Sequence, residues 1–211
     1  MPYPFRPFAD LQRDERGVAI TEFSLALPAL LILILGGLEV SNLALTHLRV
    51  SQIAMTVADN AGRVRSTIDE ADVYEVFAGA DLMGRKLDFA ERGRVVLSSV
   101  EDNGRSGANR GQYIRWQRCF GAKEVDPAYG VEGDGRDDAS LADGLGRPEK
   151  RIAASRDTAV MFVEASYTYE PLLIPDGFGS STVRYETAFN VRERDNFAIT
   201  NTQALTENAC D

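Results

Sequence analysis

One glutamate, two cysteines and a single histidine are the residues of this chain whose types and positions could do chemistry. Glu22 interrupts an apolar run that begins at Val18. A carboxylate at the centre of a bilayer costs roughly 2.5–3.5 kcal/mol, so an acid in such a run either reaches the interface or answers a cation. It lies only about 6 Å along a helix from Val18, which makes the position shallow. Cys119 and Cys210 show no C-x-x-C pairing of the kind that marks a zinc or dithiol centre. In an exported chain the default for two cysteines is a disulfide, with two separate thiols as the alternative. His47, the only histidine, falls on an apolar helical stripe, where a satisfied core or interface residue outweighs a catalytic base.

Other chemistry finds little to build on. The chain has no G-x-G-x-x-G, G-x-x-x-x-G-K, H-E-x-x-H or G-x-S-x-G motif, and one histidine on an apolar stripe leaves a triad without a base. Spatially paired carboxylates leave no sequence trace and stay open. With 23 Lys and Arg against 32 Asp and Glu, the net charge of −9 argues against a phosphate-binding surface and against nucleic acid as a partner. Asp134, Asp137, Asp138 and Asp143 lie in a Gly- and Asp-rich stretch over 126–150, without the D-x-D-x-D-G order of a calcium loop. A solvated surface loop is the expectation, with no metal and no cofactor. The reading is therefore non-enzymatic, and an anchored or secreted periplasmic binding module or enzyme is the competing class.

These residues need elements to position them. Val18 to Leu38 is a run of 21 residues, about 31 Å as a helix, which matches the hydrocarbon thickness of a bilayer. Arg6, Arg13 and Arg16 precede it, whereas 41–60 hold only Arg49, so the N-terminus is expected in the cytoplasm and the bulk of the chain outside. A buried core helix and a cleaved secretory signal are the alternatives. The first has no polar face to explain it, and LGGLEVSN after the run offers no small-x-small cleavage site. Pro28 removes one helical hydrogen bond and predicts a kink that membrane helices tolerate.

The N-terminal residues also carry a resemblance. A short basic leader ending in Gly17, an apolar helix directly after it and Glu22 at the fifth position from Val18 resemble the type IV pilin family. Arg16, Gly17, Ala19, Glu22, Phe23, Leu25, Leu27 and Pro28 are similar to the signature of TadE-like pseudopilins of the tight-adherence (Tad) pilus system. Phe23 and the large head favour a minor subunit over the small major pilin, and YTYEPLLIP from Tyr167 to Pro175 also looks like a strand end of such heads. The resemblance implies a cut between Gly17 and Val18 by a prepilin peptidase. It further implies a role for Glu22 and Phe23 in registering subunits, Glu22 facing a neighbour's α-amine. The implied partners are other pilins and pseudopilins, the inner-membrane assembly platform and membrane lipid. The implied location is the inner membrane, single-pass with a periplasmic head, or a pilus outside the cell.

Beyond Gly36 and Gly37 the pattern turns amphipathic. Val40, Leu43, His47, Val50, Ala54, Val57, Ala61 and Val64 recur at spacings of three and four, and Leu45, Leu48 and Met55 form a second, shorter apolar side. Two apolar sides call for two partners. Residues 69–90 suggest a short helix broken at Gly79 and Gly84. A shift to period two then predicts strands over 94–100, 113–120, 163–169 and 183–191, the last two alternating with one buried and one wet face. Pro171, Pro175 and Asp176-Gly177 predict turns between the last two. The expected class is α+β: a pilin-like long N-terminal helix, transmembrane then amphipathic, packed on an antiparallel β-sheet head. The expected divisions are a cytoplasmic leader over 1–17, a membrane helix over 18–40, its amphipathic continuation over 41–68 and the head over 69–211. A Cys119–Cys210 bridge would pin the polar tail from Arg192 against the sheet.

Overall fold

The computed structural model describes residues 16–172 and 181–210. Residues 1–15 of the expected leader over 1–17, and the turn at Pro175 and Asp176-Gly177, lie outside the described residues. The first helix, α1, runs Arg16–Arg63 and contains Pro28 without ending there. The chain then continues through strand β1 (Ser66–Asp69), helix α2 (Glu70–Gly84), a short α3 (Phe89–Arg92), β2 (Gly93–Asp102), β3 (Gln112–Phe120), β4 (Ala159–Tyr169), β5 (Ser181–Asn190) and β6 (Arg194–Thr200). It divides into two units, one ending at Asn42 and the other beginning at Leu43.

In the second unit β3, β2, β4 and β5 form one antiparallel sheet in that order. The α+β expectation of a long helix followed by an antiparallel sheet holds. The residues Val50, Ile53, Ala54, Val57, Ala58 and Ala61 of α1 are buried against Val95, Leu97, Met161, Val163 and Ala165 of the sheet in the main core. Removing such side chains leaves cavities that typically cost 2–5 kcal/mol for an Ile or Met cut to Ala. Leu45, Leu48 and Met55, the second apolar side, are exposed.

Helix α1 ends at Arg63 rather than continuing to 68. The buried guanidinium of Arg194 closes it, donating to the carbonyls of Ala61 at 2.8 Å and Val64 at 3.0 Å. Cations suit this end because the last carbonyls of a helix lack intrahelical partners and carry its negative pole. Burial lowers the affinity of Arg194 for its proton.

Three expectations are corrected. Helix α2 passes straight through Gly79, where an added Cβ would meet nothing within 4 Å, and ends at Gly84. Gly84 is required there because a Cβ would come within 2.5 Å of the Phe89 side chain. The polar tail from Arg192, expected to be pinned by the bridge, also forms β6, which pairs in parallel with β1. The even-numbered face of β4 is not wet. Val160 and Phe162 are buried there with Leu141, Leu145 and Ala154 in a second core. The stretch over 126–150 is accordingly a cover on the sheet rather than a solvated loop alone. Gly135 and Gly144 let it lie close, at positive φ and with no room for a Cβ against the backbone of Gln112 and Ile152.

Candidate functional site in the amino-terminal helix

From Val18 to Val40 the helix exposes large apolar side chains, among them Ile20, Leu25, Ile32 and Leu33. An 18-residue window reaches a mean hydropathy of 2.3 with none of it buried. By length and composition this helix is able to cross a membrane. Its small hydroxyls satisfy themselves within the helix: Thr21 Oγ1 donates to Val18 O at 2.8 Å, Ser24 Oγ to Ile20 O at 2.7 Å and Ser41 Oγ to Gly37 O at 2.7 Å. That is the arrangement hydrocarbon demands, since it offers no solvent partner for a polar group.

Glu22 is exposed on the same stretch and has no ion-pair partner among the described residues. Phe23 beside it is 63% exposed. At Gly17 a Cβ would meet nothing within 4 Å, so packing does not call for glycine there. The proline at 28 leaves the Ser24 carbonyl without its usual amide partner.

Residues 17–59 match the family model of TadE-like proteins. No curated protein and no solved structure matches the chain. The TadE-like segment takes in the whole apolar stretch and most of the α1 face that packs in the head, and stops before β1. It agrees with the resemblance carried by Arg16 to Pro28. The head beyond it has to be read from its own chemistry.

Cys119 and Cys210 are bonded, with Cα atoms 5.0 Å apart and a separation of 91 in sequence. The bridge joins β3 to the last segment of the chain. That segment is held further by Cys119 N donating to Asn208 O at 2.7 Å and by Tyr74 Oη donating to Thr206 O at 2.6 Å. Next to the bridge, Arg118 meets three carboxylates: Glu70 at 2.5 Å, Glu132 at 3.1 Å and Glu207 at 3.3 Å. It thereby ties together the first turn of α2, the cover segment and the C-terminal segment. No spacing in the sequence announces this cluster, because its members are brought together only by the fold.

His47 is half-buried with Nδ1 3.5 Å from the Tyr185 hydroxyl and their rings edge-on, an interior polar contact. The aspartates of the cover serve the cover. Asp134 accepts from Val131 N, Asp138 accepts from Ser140 N, and Asp137 pairs with Arg105. Among the described residues no group of three or more His, Cys, Asp or Glu side chains is placed to hold a metal ion.

Proposed function

We propose that this chain is a minor pilin-like subunit, a pseudopilin, that serves assembly of a Tad-type adhesive pilus. The observation that carries the reading is the TadE-like match over an exposed, membrane-length helix that bears a carboxylate at Glu22 and opens on a glycine that packing does not require. A prepilin peptidase would cut after Gly17, where side-chain size matters to the enzyme rather than to the fold. The apolar stretch would anchor the chain in the inner membrane with its head in the periplasm, a side on which the disulfide is chemically at home. The role is structural rather than catalytic, and the partners are the peptidase, other pilins and pseudopilins, the assembly platform and lipid.

The test is the mass of the mature N-terminus in cells that carry a prepilin peptidase. A mature chain starting at Val18, and a Gly17→Arg variant left uncut, support the proposal. A chain starting near residue 40, or a Gly17→Arg variant cut to the wild-type mass, overturns it in favour of ordinary secretion.

A further inference from the structure

The sheet face turned away from α1 is covered over Val160 and Phe162, but the cover stops at the next two rows and leaves a cleft of about 560 Å³. That volume lies in the range of small-molecule sites. Its floor is set by strand register. One row reads Val96, Glu164, Glu186 across β2, β4 and β5, and the row beside it reads Arg94, Ser166, Arg184. Ala165, between Glu164 and Ser166, belongs to the core on the α1 side, so both rows face the cleft. The segment carrying Ala128 and Tyr129, together with Arg147, forms the wall.

The carboxylate row is incomplete. Glu164 Oε2 accepts from Ala128 N at 2.9 Å, and Glu186 Oε1 is paired with Arg147. Glu164 Oε1 and Glu186 Oε2 are enclosed and have no hydrogen-bond partner among the described residues. Like charges directly opposite on neighbouring strands repel, and an enclosed acceptor without a partner costs further free energy. Burial, with the facing Glu186 adding to it, pushes the Glu164 carboxyl up to about 7, while burial and the neighbouring Glu186 carboxylate push Tyr129 up to about 12. In the second row Ser166 is only 8% exposed, and its Oγ also lacks a partner among the described residues.

We propose that this cleft binds the two charged ends of a short zwitterionic peptide, its ammonium between Glu164 and Glu186 and its carboxylate at Ser166 between Arg94 and Arg184. An ammonium has three donors and would satisfy the open oxygens of both glutamates while cancelling their repulsion. The Ser166 hydroxyl would donate to the carboxylate that the guanidiniums attract. Neighbouring rows on one face are about 7 Å apart along the strand, and an extended dipeptide spans about the same distance. A divalent cation fits less well, since hard cations want six or more oxygens and the adjacent row is cationic.

The test uses the full chain in detergent micelles, titrated by calorimetry with Ala-Ala, then with its N-acetyl and C-amide forms. Saturable one-site binding of Ala-Ala at up to millimolar concentration is expected, weakened about tenfold or more by either cap. Glu164→Gln and Arg184→Gln are expected to weaken it by a similar factor. Arg184 is exposed, so its variant is expected to fold whatever becomes of the first. Absence of saturable binding to the wild type overturns the proposal. So does binding that neither cap weakens, and binding that Arg184→Gln leaves unchanged.

Discussion

Arg118 grips Glu70 at 2.5 Å with both side chains almost fully enclosed, 5% and 1% exposed. A buried pair of this kind gains less from forming than it loses when one partner goes, because the survivor is left charged and unsolvated. Arg118→Met, which strands the enclosed Glu70, is expected to destabilise the chain by about 3–5 kcal/mol, and Glu70→Leu by less because Arg118 keeps Glu132 and Glu207, with the double substitution costing less than the sum. Urea denaturation of the four proteins in detergent checks this. Additive losses would mean that the pair is not acting as a pair.

Reduction of the Cys119–Cys210 bridge is expected to lower stability by at most about 4–5 kcal/mol, the chain-entropy value for a loop of this length. A Cys119→Ala, Cys210→Ala double variant should denature at the same urea concentration with or without reductant. Wild type should shift. Alkylation of both cysteines in unreduced protein would refute the bridge.

The Glu164 carboxyl, held near 7 against an ordinary 4.5, sets a pH slope. The folded chain keeps this proton more tightly than the unfolded chain does. Its contribution to stability is therefore fully present below about 4.5 and is lost as pH rises through about 7. Glu164→Gln should abolish that slope, matching wild type at low pH and exceeding it by on the order of 2 kcal/mol at pH 8. Thermal melts across this window measure it, and parallel wild-type and variant profiles would refute it.

For Glu22 the proposed role separates insertion from assembly. Glu22→Ala removes a carboxylate from the apolar stretch, so membrane insertion is expected to be unchanged or improved. Piliation in a strain lacking the native copy should nonetheless fall. Full piliation with Glu22→Ala would reduce this acid to a passenger.

What the sequence made legible was what repeats locally. The uncharged run after Gly17 and the three-four stripe from Leu43 announce α1, and alternation around Val163 and Val183 announces β4 and β5. The parallel pairing of β1 with β6 was not legible, because partners such as Ile68 and Ile199 sit far apart in sequence and each strand is too short for a period of its own. The burial of Phe162 was missed for a similar reason. Its cover contributes Leu141, Leu145 and Ile152 scattered among Gly and Asp, and such spacing shows no regular face. The cleft at Glu164 and Ser166 read as the wet side of a strand because alternation alone does not tell water from a roof that stops halfway.

The closure of α1 by Arg194 has a consequence for the order of events during synthesis. Chains emerge from the ribosome amino-terminus first. The apolar side of α1 from Val50 to Ala61 is made early, whereas Arg194, the strand that carries it and Cys210 come much later. Until they arrive, the helix lacks its terminal clamp and β1 lacks its only pairing partner among the described residues. The sheet that covers Val50 to Ala61 is thus made before the end of α1 is clamped and before β1 is paired, so closing the head falls to β6 and to the bridge that follows it.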